Sequence, residues 1–540
     1  MSPALASRGD NSALALNRFV EARLAESSDE LRAASVIYAE SLKEQPYNEL
    51  LAGKAYVNAV EIGDFDLALI AVQAMELRGK ADPEMPLFPF SEAFARRDWT
   101  SANRAIVELE ALKNFAFMAP FLEAWLATAR GRNFAAVLAQ AKTNTTGKYY
   151  LDEQLILNLL ASGKESEALA LLTGVIDSNE SRMAPVRMLA AQHFWAKNEP
   201  ETARRILIKS SSGPEQRLLQ QIDTGQKKGV AQKVNASIGL AFFFQRLSTD
   251  LAVQKAPFLA QVLSQVSVRV ADKSDYAHLM LGRAYVGMDN HDLAVREFSR
   301  IGMESPYYLV ALSSQIISLV TIADSDQAIA RIDFAIAGNP DSPELYILKG
   351  QVLQAQKSNR AAVTAFEDAI ALAEKLERPD SLMASYWLAL GGAQEQAGIW
   401  PAGLQSLQKA NQLLPNSPTI LNYLGYAQLE RRENQKAAID AIKQAHELRS
   451  TSPAITDSLG WAYYITGEHE RAVTYLESAL SGQPQDPTIN EHLGDAYWTV
   501  GRLYEARYAW KSAQLFAEGD DVDRLAAKID LGLQPDLIAP

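Results

Sequence analysis

The chain has no cysteine, which excludes disulfides, thiolate metal sites, a cysteine nucleophile and a lipid-bearing cysteine. Histidine is scarce. The six are His193, His278, His291, His446, His469 and His492, and no two stand four apart, the spacing that would place two ligands on one helix face. His469-Glu470 begins like a metalloprotease motif, but position 473 is valine and the second ligand is missing. Long apolar runs are also absent. A bilayer span needs roughly 20 consecutive apolar residues, whereas the stretch 118–129 is short and interrupted by Glu123. The densest basic spot is Lys227-Lys228 with Lys233 nearby, and it reads as a solvated loop. With 65 acidic against 52 basic residues and a formal charge of -13, binding to a phosphate backbone is disfavoured, so nucleic acid is not an expected partner. Gly147-Lys148 and Gly163-Lys164 lack the upstream glycine and following hydroxyl of a nucleotide-binding loop. No Gly-x-Ser-x-Gly elbow occurs either. No catalytic residue, metal site or cofactor is therefore expected.

What the chain does have is an alanine that returns every 34 residues, at Ala34, Ala68, Ala102 and Ala136 and again at Ala294, Ala328 and Ala362. Each lies in a helix-like apolar pattern. A fixed period of this size marks a repeat protein, in which a pair of helices cannot bury its own apolar face and is stabilised by stacking on its neighbours. The pattern is fullest near the end. Leu459-Gly460, Tyr463, Ala472, Leu476, Ala479 and Pro484 are followed 34 residues on by Leu493-Gly494, Tyr497, Ala506, Trp510 and Ala513. Gly460 and Ala472 fall where two helices must pass closely, and overpacking there would cost roughly 1–3 kcal/mol. In the first half the Leu-Gly pair is missing. Gly63, Gly131 and Gly163 nevertheless precede the key position by five residues, as Gly398, Gly467 and Gly501 do later, and suit a left-handed helix end.

Between Ala203 and Ala294 the spacing of 91 residues is not a whole number of repeats. A polar helix is expected over 215–224 and a flexible link over 226–233, followed by a helical pair that carries Ala241-Phe242-Phe243-Phe244 and Ala260. The expected organisation is a degenerate N-terminal array over 1–209, an irregular helical junction over 210–272, and a C-terminal array with a capping helix over 273–540.

These motifs closely resemble the tetratricopeptide repeat, which asks for a Leu-Gly pair and a tyrosine on the first helix and small, large and small residues on the second. The resemblance implies an all-α superhelical solenoid, here of about 13–14 helix pairs, used for protein–protein contact and bringing no catalytic residues. From Ser381 to about Leu533 the text is similar to a branch typical of alphaproteobacteria. The likeness is carried by Leu421-Asn422-Tyr423-Leu424-Gly425-Tyr426, Asp457-Ser458-Leu459-Gly460-Trp461-Ala462 and Glu491-His492-Leu493-Gly494-Asp495-Ala496-Tyr497-Trp498. Glu491 stands where related sequences often carry aspartate. Members of that branch look like exported proteins, which implies the periplasm. Met1 to Ala6 has no signal peptide, but Ala4-Leu5-Ala6 has the small-x-small form of a cleavage site, which is either a coincidence in an alanine-rich chain or the mark of an export signal trimmed before Met1; the likeness favours the periplasm, with a cytoplasmic location the alternative.

In such arrays the first helix of each pair lines the concave side, and residues at i, i+4 and i+7 share a face. The expected partner-binding groove is Asn422 and Tyr426, then Asp457, Trp461 and Tyr464, then Glu491, Asp495 and Trp498. Aromatic rings and carboxylates side by side favour a partner protein or peptide that presents lysine, arginine or a free amine. The opposing expectation is that both indoles pack between repeats while the acids are solvated or cap helices. The functional expectation is a non-catalytic binding scaffold in the bacterial envelope. The alternative is an assembly or export factor for envelope polysaccharide or outer-membrane machinery, within a membrane-associated complex.

Overall fold

The computed structural model describes residues 16–28, 30–178, 181–209 and 213–539; the Ala4-Leu5-Ala6 triplet lies outside them. Among the described residues the regular elements are all helical, and read along the chain they make fourteen helix pairs. The first pair joins 16–27 to Leu31–Glu44, and the last joins Pro487–Thr499 to Leu503–Gln514. Two helices stand apart from this series, Gly213–Asp223 and Asp520–Leu531.

Each pair is built around the same small set of local devices. The residue five before the key alanine closes the first helix in the left-handed region: Gly63, Gly131, Gly163, Gly398, Gly467 and Gly501 all have φ between +65° and +84°. The same position is left-handed where no glycine marks it, at Arg97, Asn198, Lys255, Asp289, Ala323 and Lys357, with φ of +59° to +65°. A side chain there costs about 1–2 kcal/mol, a strain the packing of the pair must outweigh. One residue later a carboxylate or amide often caps the second helix. Asp64 accepts from the Leu67 N–H, Asp98 from Ser101 and Asn290 from Leu293.

The key alanines at 34, 68, 102, 294, 328 and 362 are fully buried, as are Ala168, Ala203, Ala438, Ala472 and Ala506. Ala136 departs from the pattern and is exposed. The second helix of its pair shrinks to Ala135–Leu138, and Phe134 and Leu138 take the buried places.

The chain divides into two compact units, Met1–Arg331 and Ile332–Pro540. In the first, the stretch expected as a junction is folded into the body of the unit. Helix Ala236–Val253 packs on the first helices Ala119–Ala129 and Thr145–Ala161, and helix Pro257–Val270 packs on Glu49–Ile62 and Leu87–Ala95. Apolar rings fill this contact, with Phe243 4.7 Å from Phe121 and Phe258 6.1 Å from Tyr56. Gly239 lies against the Trp125 indole so closely that a Cβ would fall 2.0 Å from it. Polar ties complete the seal: Gln261 and Gln265 both donate to the Val60 carbonyl, and the Tyr150 hydroxyl donates to Asp250 at 2.8 Å. The N-terminal inner face is thus occupied by the chain itself.

The expected flexible link over 226–233 is instead pinned to helix Ala184–Ala196. Gln192 donates to the Val230 carbonyl, Trp195 to that of Gln226, and Lys227 lies over the Trp195 ring. These bonds satisfy backbone carbonyls that a crossing segment would otherwise present to the interior.

The second unit holds five pairs, from Pro343–Ala355 with Asn359–Lys375 to the last pair, and then helix Asp520–Leu531. Where the first helices carry glycine, a large side chain from the second covers it. A Cβ on Gly350 would meet Phe366 at 2.5 Å, and one on Gly494 would meet Trp510 at 2.4 Å.

Candidate partner-binding groove

Three first helices of the second unit, Pro418–Glu430, Pro453–Ile465 and Pro487–Thr499, carry all eight residues expected to form the groove. Their helical spacing puts the pair and each of the two trios on one side of its helix, but the three sets meet different surroundings.

Asn422, Tyr426 and Asp457 line an open cavity of about 380 Å³, together with Glu395, Tyr423, Glu430, Ser458, Asp486 and Thr488. Four carboxylates and two phenols border it, and no lysine or arginine is among its lining residues. Asn422 donates to the Ser458 hydroxyl at 3.2 Å, while its Oδ1 is buried without a hydrogen-bond partner. Tyr423 donates to Glu395 at 2.7 Å, and Arg431 holds the other oxygen of that carboxylate at 2.8 Å. Burial pushes the Glu430 carboxyl above its usual range, and the nearby Glu395 adds to the effect. Burial and then Glu430 raise the Tyr426 phenol strongly.

Trp461 and Tyr464 pack between repeats. The indole is 1% exposed and lies in a stack, 4.6 Å from the Tyr464 ring at 7° and 4.0 Å from the His492 ring at 11°. Below the stack, His492 Nδ1 sits 3.0 and 3.1 Å from the two Asp457 oxygens. Burial alone would lower the proton affinity of this histidine, but Asp457, Asp495 and Glu491 outweigh it and raise the pKa. The imidazole is held face to face with the indole, an arrangement favourable by roughly 0.5–2 kcal/mol when the ring carries a proton.

Glu491, Asp495 and Trp498 lie under the C-terminal segment. Arg524 donates to both Glu491 oxygens, each bond 2.8 Å long, and Lys528 reaches Glu491 at 2.7 Å and Asp495 at 2.8 and 2.9 Å. Asp495 also accepts the Trp510 indole N–H at 2.9 Å and the Ala539 backbone N–H at 2.8 Å. Lys528 and Asp495 are both fully buried. Burial pushes the Asp495 carboxyl up, with Lys528 opposing; at Glu491 burial is overcome by Arg524 and Lys528, and its pKa is lowered. Trp498 is half-buried against Gly532, with the Arg507 guanidinium 4.9 Å from its ring.

The helical-spacing expectation left out several of the residues that surround these side chains. Glu430 could have been found, since it stands four residues after Tyr426 on the same face. Arg524 and Lys528 carry the same i, i+4 signal on the last helix. Glu395 comes from the preceding repeat, and only the stacking of the pairs brings it to the cavity.

A larger cavity, about 930 Å³, lies in the first unit beside the Gly63 and Arg97 turns. Its charges are largely matched internally, Arg269 and Arg96 with Glu92 and Arg300 with Glu297. Among the described residues, no group of three or more His, Asp or Glu side chains could hold a metal ion, and no helix is long and apolar enough to cross a membrane.

Residues 314–513 match the family model described as Tetratricopeptide repeat. This part of the chain is a tetratricopeptide-repeat array, and the helix pairs on either side continue its architecture. Among solved structures, that titled "Crystal structure of MamA" aligns at 24% identity over 33% of this chain and 96% of its own, with a TM-score of 0.25. The yeast Tom70 structure aligns at 12% identity over 96% of both chains, with a TM-score of 0.40. The Pseudomonas aeruginosa pilF structure aligns at 16% identity over 41% of this chain and 97% of its own, with a TM-score of 0.33. A comparison with curated proteins finds no match.

Proposed function

We propose that this chain is a non-catalytic binding scaffold of the bacterial envelope whose second unit holds a basic segment of a partner protein. The observation that carries this reading is the cavity bordered by Glu395, Glu430, Asp457 and Asp486 with the Tyr423 and Tyr426 phenols, and with no cation among its lining residues. Such a surface attracts ammonium and guanidinium groups over distance and orients them at contact. The free Asn422 Oδ1 offers a buried acceptor to an incoming N–H donor. Further support comes from the next repeat, where Glu491 and Asp495 already grip a lysine and an arginine. The periplasmic assignment rests on the likeness of 381–533 to exported proteins.

The test is titration of the full chain with helical peptides that carry Lys or Arg at i and i+4, beside matched peptides with Glu at those places. The basic peptides should bind and weaken with salt, and Glu430→Lys at the cavity rim should lower their affinity about tenfold, a change of 1.4 kcal/mol. Equal binding of the acidic set, or no response to Glu430→Lys, would overturn the reading. Osmotic-shock fractionation checks the compartment, and retention in the spheroplast would count against the periplasm.

A further inference from the structure

The last twenty residues do to the groove what a partner would do. We propose that the segment after Gln514 is an internal occupant of the second unit's groove, and that a basic helix of the partner displaces it to reach Glu491 and Asp495. This inference rests on the reading that the groove takes a basic segment, and adds where the segment docks and what must leave first.

Three observations lead to it. Arg524 and Lys528 stand one helical turn apart and point the same way, so that together they engage Glu491 and Asp495. This is the chemistry of a ligand, not of the apolar contact that joins the repeats. Second, the apolar attachment of the segment is local, Leu525 packing with Ala506, Trp510 and Ala513 and partly buried Ile529 and Leu533 beside it. On helix Asp520–Leu531 the buried residues are Leu525 and Lys528, while Leu531 is 68% exposed. Third, the approach to the helix is poorly packed: Leu515 is 79% exposed, and Gly519 turns the chain at φ +60°.

Charge makes replacement feasible where simple release is not. Removing Lys528 alone would leave the buried Asp495 carboxylate without its counterion and Glu491 with Arg524 only, a heavy penalty. An incoming helix with cations at i and i+4 remakes each ion pair as it is broken, so those acids are never stranded. The route in is the open cavity, because Asp486 and Ile489, which line it, begin the same helix that carries Glu491 and Asp495.

The absence of native cysteine makes the test simple, since Leu531→Cys supplies the full chain with one thiol for an environment-sensitive dye. The probe is a synthetic peptide of residues 517–540. It should change the dye signal saturably, and a chain carrying Arg524→Gln and Lys528→Met should bind it at least tenfold more tightly than the parent. A peptide with the same two changes should not bind. Equal affinity for the two chains overturns the inference. Should the double variant fold poorly by circular dichroism, amide exchange of the unaltered chain decides: saturating peptide should speed exchange over 520–531, and unchanged protection overturns displacement. Peptide bound while that helix stays protected sinks this inference alone, whereas the Glu430→Lys titration judges the underlying reading by itself.

Discussion

Replacing Trp461 by alanine separates a groove residue from a packing residue. The indole is 1% exposed, stacked between Tyr464 and His492, and belongs to the apolar cluster that joins Leu459, Leu476 and Leu493. Truncating a buried tryptophan costs about 3–5 kcal/mol through lost burial and the cavity left behind. Loss of the aromatic face beneath His492 adds about 0.5–2 kcal/mol when that ring is protonated. The sum, about 3.5–7 kcal/mol, is a large share of the 5–15 kcal/mol that typically holds a folded domain. A urea titration of the full chain followed by circular dichroism should therefore show the second unit's transition moving down by about 2 M, taking a slope of 2–3 kcal/mol per molar. The exposed Tyr508 serves as control, since Tyr508→Ala should cost less than about 0.5 kcal/mol. A double-mutant cycle with His492→Leu should return a coupling of about 0.5–2 kcal/mol. A loss below about 1 kcal/mol, or zero coupling, would refute the stacked geometry and restore Trp461 to the open groove.

Gly494→Ala places a Cβ 2.4 Å from the Trp510 ring, and should lower the thermal midpoint by an amount equivalent to about 1–3 kcal/mol; an unchanged midpoint would mean that the two helices are not in close contact there. The pH dependence of the second unit should carry a signature of His492. Its folded pKa is raised, so its stabilisation is fully present below the unfolded value of about 6.5 and is lost as pH rises through the folded one. Urea midpoints should then fall between mildly acidic and alkaline pH, and His492→Gln should remove that part of the slope. A slope identical in the variant would assign the effect to other groups.

Much of this fold can be read from local signals because a helix pair is a local object. The alanine spacing and the glycines at 63, 131, 163, 398, 467 and 501 mark where one helix ends and the next begins. The equivalent turns at Arg97 and Lys255 leave no such mark, since neither residue type favours the left-handed region, and Asn198 and Asp289, which tolerate it better, are too common in other settings to stand out. Ala136 keeps the period in text but lost its buried role when its helix shortened. At the groove, the i, i+4, i+7 rule placed Asp457, Trp461 and Tyr464 on one face and Glu491, Asp495 and Trp498 on another. It could not tell that Tyr464 and His492 would close over the indole, or that Arg524 and Lys528 would return to the acids. Tyr464 is only three positions from Trp461, but His492 and the two cations meet their partners from some 30 positions away, and no periodicity within one helix encodes that.

The tie from Gln261 and Gln265 back to Val60 gives the two units different histories during synthesis. A linear stack can settle pair by pair as it emerges from the ribosome, and can gain or lose a pair in evolution with little harm. The first unit has no such freedom, because its seal waits for a hairpin made some 200 residues later. Until residue 270 or so has been translated, the early helices present an apolar face with no cover, so slow elongation or truncation before that point should leave a sticky intermediate in need of a chaperone.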